Sequence, residues 1–507
     1  MWRSGRLLLP EYDTSQQGRP EVNTCADTLA SPIAHKGGQS AALSPSILSG
    51  TVALFDALIL VVTGLAAYAL HPGWSEVNSS LYLSTVTVIT LLAESGFYVA
   101  GLYRFEAIIA PRRQLKRLMA LSTALFVGLM AVAFALKVST LYSRLWVFAW
   151  FCALLAGLLM ARLLWHVFLR QLARSERLTR NIAIVGAGEQ AVRLVALLTQ
   201  QDAPWNRIVG IFDDRSTRVP EAIGPYCLLG DTDRLIQYAR GTRIDDVLIA
   251  LPWWAEERML QVLHKLQVLP AHIYLSPDLT GLNFPRSRYT QDMGLPLLNV
   301  FQKPLDGWSW VLKVIEDRFL ALLLLVLVAP VMLVIAAAVK LDSRGPVLFR
   351  QKRYGYNNNL IEVYKFRTMY QDQCDQNADA LVRQRDPRVT RVGAWLRRTS
   401  LDELPQLLNV LRGEMSIVGP RPHATRAKAA GRFYEDVVRE YALRHRVKPG
   451  ITGWAQVNGW RGETDTEESI RKRVEFDLQY IESWSLSLDL EILLRTLMVV
   501  LRGQNAY

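Results

Sequence analysis

Two adjacent carboxylates, Asp402 and Glu403, stand in a strongly basic part of the chain. Around them, between Ser343 and Thr464, recur Arg350, Lys352, Arg353, Lys365, Arg367, Arg397, Arg398 and Arg421. Guanidinium groups take phosphate oxygens two at a time, and lysine adds a point charge, so this set suits a phosphate-bearing substrate. A carboxylate among cations stays ionised and can serve as a nucleophile or as a magnesium ligand. A structural reading competes: Ser400 can cap a helix, with Glu403 at the reciprocal position three residues on. Lys365 and Arg367 alternate along an expected strand and so share one face. Both are assigned to phosphate binding, with ordinary salt bridges as the alternative. Arg421 lies in Gly419-Pro420-Arg421-Pro422, a turn stiffened by two prolines, and is expected to hold a phosphate. Arg397 and Arg398 complete the expected substrate-binding set.

Such residues need a scaffold, and the composition points to a membrane. The chain has 507 residues, 50% of them hydrophobic, and a net charge of +12. That charge suits a membrane surface or phosphate substrates. Nucleic acid is not an expected partner, because the basic residues alternate with hydrophobic strands and no recognition motif appears. Residues 1–45 are polar and read as a disordered leader. Four apolar runs follow, Ile47–Leu70, Leu81–Tyr103, Leu115–Val138 and Leu145–Leu169. Each reaches the roughly 20 residues that cross a bilayer, giving a four-helix transmembrane domain over residues 46–170. Lys and Arg crowd the second connection and the stretch after residue 170, which places both, and the N-terminus, in the cytoplasm. Asp56 and Glu94 lie inside apolar runs. Each is either functional or paired locally within the bundle.

Residues 179–276 read as a Rossmann-like α/β domain. The strand Asn181–Val185 enters the turn Gly186-Ala187-Gly188, and a helical pattern follows. Asp213 and Asp214 end the second strand, where a ribose-binding carboxylate would sit. Dinucleotide binding and a regulatory or assembly role are both open for this domain. Residues 277–310, rich in Pro, Gly and Asn, are expected to be a linker. The catalytic domain is expected over 311–507. It opens with the apolar segment Phe319–Leu341, which carries Pro330 at its centre and basic residues on both flanks. Proline kinks a helix, and the flanks keep both ends cytoplasmic, so the segment is expected to be re-entrant and to break at Pro330. Trp454, Trp460 and the stretch Leu488–Leu501 are candidates to face lipid, with a core helix as the alternative for the last.

Four stretches carry a family resemblance: KFRTM (Lys365–Met369), SLDELPQ (Ser400–Gln406), MSIVGPRP (Met415–Pro422) and KPGITGWAQVNG (Lys448–Gly459). They resemble the bacterial sugar transferases, the polyprenyl-phosphate hexose-1-phosphate transferases, over about Asp317 to Tyr507. The chain is most similar to long-chain members that begin colanic-acid- and xanthan-type exopolysaccharides. The resemblance implies a helical membrane bundle, a Rossmann-like α/β domain and a membrane-associated α+β catalytic domain with a re-entrant helix. It implies transfer of glucose-1-phosphate from UDP-glucose to undecaprenyl phosphate, with loss of UMP, through a phosphosugar intermediate on Asp402. It further implies Mg²⁺ as cofactor, with Asp402 and Glu403 as its ligands. The implied partners are a UDP-sugar, undecaprenyl phosphate and membrane lipid, with a homodimer left open. The implied location is the bacterial inner membrane, multi-pass, with the catalytic domain in the cytoplasm. UDP-galactose is the alternative donor, and a nucleotide-binding co-polymerase or scaffold is the non-enzymatic alternative. A nicotinamide-dependent sugar-nucleotide enzyme fits poorly, since no Tyr-x-x-x-Lys pair is suitably placed between the Gly-rich turn and the linker.

Overall fold

The computed structural model describes residues 44–70, 79–109, 111–174, 179–200, 205–215, 220–276, 290–292, 295–371, 386–423, 428–429, 432–460 and 466–502. The expected leader lies outside them except for its last two residues. The four apolar runs form the helices α1 (Pro45–Ala69), α2 (Ser79–Val99), α3 (Pro111–Ala135) and α4 (Arg144–Arg174). A helix satisfies its own backbone groups, which is what a span in hydrocarbon requires. Tyr82, Trp146 and Trp150 are buried between them, with ring centroids 4.6 and 5.0 Å apart in successive pairs. Asp56 and Glu94 pair locally. Asp56 is gripped by both ends of the Arg162 guanidinium at 2.9 and 2.6 Å, and the Tyr103 hydroxyl lies 2.8 Å from a carboxyl oxygen of Glu94. Arg162 lies within the fourth apolar run.

The α/β domain follows. Its strands are β1 (Arg180–Val185), β2 (Asn206–Phe212), β3 (Ala222–Ile223), β4 (Tyr226–Gly230), β5 (Asp246–Ile249), β6 (His272–Leu275), β7 (Thr290–Asp292) and β8 (Leu295–Phe301). They form one eight-stranded sheet in the order β3-β4-β2-β1-β5-β6-β8-β7. The run β4-β2-β1-β5-β6 is parallel, whereas β3, β8 and β7 pair antiparallel at the two edges. The expected linker is therefore partly sheet. The apolar residues of Leu295–Phe301 extend the sheet beyond β6, and Pro296 is tolerated because β8 pairs there only with the short edge strand β7. At the Gly-rich turn, Gly186 has φ +104°, and a Cβ there would come within 2.7 Å of the Ala250 carbonyl oxygen. Asp213 is committed within the domain. Its carboxylate is buried and accepts from the turn's own Ala187 N–H at 2.8 Å and from Arg258 at 2.7 Å. Asp214 accepts from the Thr232 N–H and hydroxyl at the start of the helix Thr232–Gly241, whose N-cap is Asp231.

The apolar segment belongs to a longer helix, α5 (Gly307–Asp342), which runs through Pro330 without the expected break and whose first turn already begins within the expected linker. Ala321, Leu325, Val328, Met332, Ile335 and Val339 form one stripe along it, at the three- and four-residue spacing of a single helix face. This stripe packs on Leu407, Val410, Phe366 and Leu396 of the catalytic domain. The opposite face is apolar and exposed, Leu327, Leu333 and Val334 among it. Both ends of α5 are bonded to the catalytic domain. At the first end, Asp317 accepts from the Ser416 hydroxyl at 2.8 Å and the Ile417 N–H at 2.9 Å, and Lys313 donates to Asp489 at 2.7 Å. At the second, Arg367 donates to the Ser343 carbonyl at 2.7 Å. The start of α5 also meets the start of α1, where Trp308 Nε1 donates to the Ser46 carbonyl at 3.2 Å.

Candidate active site

Three short elements bring the charged residues together. The hairpin of β9 (Leu348–Tyr354) and β10 (Leu360–Phe366) carries Arg353 and Lys365. The helix α6 (Arg391–Thr399) ends at Ser400, and a 3₁₀ turn, Leu401–Glu403, presents the two acids. The strand β11 (Ser416–Val418) leads into the turn that carries Arg421. Ser400 does not form the expected capping box. It has φ +57°, closes α6 in the left-handed conformation and makes no side-chain capping bond. The sharp joint turns Asp402 and Glu403 inward, and Glu403 spends its carboxylate elsewhere than on the Ser400 backbone.

That carboxylate is clamped. Lys365 donates to Oε1 at 2.8 Å, and Arg421 forks across both oxygens at 2.6 and 3.1 Å. Burial works against ionising Glu403, but Arg421 and Lys365 outweigh it and hold the acid well below the usual carboxylate range. Asp402 is treated differently. It is 9% exposed and accepts no hydrogen bond on its side chain among the described residues. Burial raises its pKa, and the attraction of Lys365, Arg397 and Arg421 offsets only part of that rise. Neighbouring carboxylates pushed in opposite directions take different roles: one a fixed structural anion, the other a reactive group. Arg353 lies against Arg421 and is pushed down to about 10 by burial and by that neighbour. Lys365, Arg353, Arg397 and Arg421 thus face two carboxylates, a surplus of positive charge suited to phosphate.

Behind the site, Arg444 and Asp477 form a fully buried ion pair at 2.5 Å. Arg444 also donates to the Arg421 carbonyl at 2.9 Å, so it fixes the turn from which Arg421 reaches Glu403. Burial, and then Arg444 and Arg473, hold the His423 imidazole well below its ordinary range, so it is neutral.

Two of the expected phosphate ligands are placed elsewhere. The strand ends at Phe366, so Arg367 leaves the face that Lys365 occupies and bonds the Val339 and Ser343 carbonyls at the end of α5. Arg398 is exposed on the outside of α6, away from the acids, while Arg397 turns inward and donates to the Thr368 hydroxyl at 2.9 Å. Trp454 and Trp460 are half-buried, and Trp454 is bonded to Gln479 and covered by Arg495. The last helix, α8 (Leu486–Arg502), which follows α7 (Glu467–Ser483), exposes Leu486, Leu490, Leu494 and Leu497 on one side and buries Asp489 and Ile492 on the other. Arg353, one of the recurring cations of the sequence, joins the site, and Arg444 and Asp477, which carry no motif, support it.

A magnesium ion fits the donor set only in part. Both oxygens of Glu403 are committed to Lys365 and Arg421, whereas those of Asp402 are uncommitted. Magnesium is commonly held by one or two carboxylates together with substrate phosphates, and Asp402 with a diphosphate meets that pattern.

Comparison with known proteins places this geometry. Residues 308–503 match the family described as bacterial sugar transferase, and residues 98–277 match a CoA-binding domain family. The chain is 36% identical to the UDP-glucose:undecaprenyl-phosphate glucose-1-phosphate transferase of Xanthomonas campestris pv. campestris, over 90% of this chain and 94% of that protein. It is 40% identical to the protein of the same name from Escherichia coli (strain K12), over 72% of this chain and 76% of the relative. It is also 40% identical to the undecaprenyl-phosphate glucose phosphotransferase of Komagataeibacter xylinus, over 71% of this chain and 66% of the relative. With its motifs gathered around Asp402 and its near full-length likeness to such proteins, the chain belongs to the bacterial sugar transferase family.

Proposed function

We propose that this chain transfers glucose-1-phosphate from UDP-glucose to undecaprenyl phosphate, the step that begins an exopolysaccharide, with Asp402 as nucleophile. The observation that carries the reading is the contrast between the acids: Glu403 is locked by two cations, while Asp402 is buried beside them with its oxygens uncommitted. The donor and acceptor are those in the names of the relatives. Asp402 attacks the β-phosphorus, the bond from that phosphorus to the bridging oxygen breaks, and UMP leaves with the electron pair. A phosphate oxygen of undecaprenyl phosphate then attacks the same phosphorus and releases Asp402. Two anionic substrates thus need not meet in one step. Arg353, Lys365, Arg397 and Arg421 supply the positive field for the diphosphate. Mg²⁺ would be held by Asp402 and the donor's phosphate oxygens, where it would neutralise charge. Purified protein with undecaprenyl phosphate, Mg²⁺ and a panel of UDP-sugars is expected to give UMP and undecaprenyl-diphosphate-glucose from UDP-glucose fastest. A faster galactose product would reassign the donor. No lipid-linked product from any donor would remove the reaction.

The reassignment of Arg398 has its own test. Arg398→Gln is expected to leave the donor KM within about twofold, as for an exposed charge away from the reacting groups. Arg421→Gln is expected to raise KM and lower kcat together, by about 100-fold in kcat/KM, because it removes a bidentate cation and frees Glu403.

The reading also needs α5 to enter the inner leaflet and return, keeping the catalytic domain cytoplasmic in the bacterial inner membrane. Its support is that a helix packed lengthwise on a charged domain cannot pass through hydrocarbon without taking that domain with it. Pro330, which leaves the Val326 carbonyl without its helical donor, supplies the place for a bend. Single cysteines at Gln302 and Lys472, on either side of α5, are expected to react only with reagent admitted to the cytoplasm. Labelling of Lys472→Cys from the periplasm would make α5 a full span.

A further inference from the structure

The four-helix block holds a buried polar cluster that the transferase chemistry does not use. Asp56 of α1 is fully buried and forms a two-pronged ion pair with Arg162 of α4, itself 5% exposed. Tyr103, just after α2, places its hydroxyl 3.2 Å from Asp56 Oδ2 and 2.8 Å from Glu94 Oε2 of α2. From α3, Gln114 faces the same region, but its amide is committed to the Leu102 carbonyl at 2.9 Å. Two polar atoms of the cluster, Glu94 Oε1 and Arg162 Nε, are buried without a partner among the described residues.

The hydrogens decide what this cluster needs. One hydroxyl proton on Tyr103 lies between two carboxylates, each of which would accept it. Among the described residues the cluster holds one cation, Arg162, and both of its terminal nitrogens are engaged by Asp56. With both acids ionised, one carboxylate would face the tyrosine oxygen with no hydrogen between them, and the cluster would carry a net negative charge inside an apolar bundle. One added proton resolves both faults. We infer that this cluster is a proton-binding site: Glu94 carries a proton and donates it to the Tyr103 oxygen, and Tyr103 donates its own to Asp56, which stays ionised against Arg162. The site takes up one proton as the block folds, so the packing of the membrane domain depends on pH apart from any catalytic step.

The sign follows from linkage. A carboxyl that keeps its proton in the fold, while the unfolded chain ionises near the ordinary glutamate value, stabilises the fold at low pH and loses that contribution as pH rises. The full-length protein in nanodiscs is to be melted from about pH 5 to about pH 9, a range above the ordinary glutamate value. Glu94→Gln keeps shape and neutrality, so its midpoint is expected to equal the wild type at the acid end and to exceed it by several degrees at the alkaline end. Asp56→Asn strands Arg162 and is expected to melt lower at every pH. A wild-type midpoint that differs from Glu94→Gln by the same amount at every pH, or one that rises with added sodium, would mean an ionised Glu94 and overturn the inference. Wild-type protein alone supplies a second reading, independent of how the variants fold. Dicyclohexylcarbodiimide adds to protonated carboxyls in apolar surroundings. It is expected to label Glu94, less so as pH rises, and to leave Asp56 unlabelled. Label on Asp56, or none on Glu94, contradicts it.

Discussion

Asp402→Asn is expected to abolish transfer, by about 10⁴-fold or more, as when a covalent nucleophile is lost, while the protein stays folded and melts no lower than the wild type. The two halves of this result have one cause. The shape is kept and only the charge is removed, so the bonds among Glu403, Lys365 and Arg421 remain. Burial raises the Asp402 pKa, so its ionised form opposes folding at neutral pH. The sign is that of a raised acid: its contribution to stability is present below the unfolded pKa and is lost as pH rises through the folded one. An amide has no such loss. For the same reason the acid limb of the rate profile should lie above the ordinary aspartate value of about 3.9, since protonation silences the nucleophile. A variant with near-normal turnover would take Asp402 out of the reaction.

Asp477→Asn is expected to cost about 3–5 kcal/mol of stability, the usual effect of stranding one member of a buried ion pair. Arg444 would keep its charge in a buried site and would lose the countercharge of the oxygen that accepts its bonds of 3.0 and 2.5 Å. Because Arg444 also holds the Arg421 carbonyl, the turn should shift and activity should fall with it. Denaturant unfolding and kcat/KM measured on the same samples check both. An exposed pair such as Lys472–Glu475 is the control, since its removal should change stability by less than about 1 kcal/mol.

What could be read from the sequence, and what could not, divides by the range of the interaction. Four apolar runs and a Gly-rich turn after a strand are local patterns, and the helices and the parallel sheet followed them. Asp402, Lys365 and Arg421 stand out in the sequence because each sits in a compact motif, and the structure brings the three together. Arg444 and Asp477 were not, because 33 residues separate them and neither has a motif of its own. Arg162 was hidden by the apolar run around it. The capping-box alternative for Ser400 fails because the pattern Ser-x-x-Glu is only local, whereas here the serine closes the preceding helix in the left-handed region. Arg367 does not share the face of Lys365, because alternation holds only while a strand lasts and β10 stops one residue earlier. The Pro- and Gly-bearing stretch after residue 276 looked like a linker because edge strands carry a weak pattern, yet it supplies β7 and β8.

The central claim is a covalent phosphosugar on Asp402, and it is tested by giving the enzyme its donor without its acceptor. Purified protein in nanodiscs free of undecaprenyl phosphate is mixed with UDP-glucose labelled in the sugar and with Mg²⁺, then quenched and digested. The account predicts UMP release approaching one equivalent per active site, and a hexose-phosphate adduct on the peptide that contains Asp402, both absent from Asp402→Asn. UMP that appears only when the lipid acceptor is added, with no adduct on that peptide, would mean direct displacement and would contradict the account.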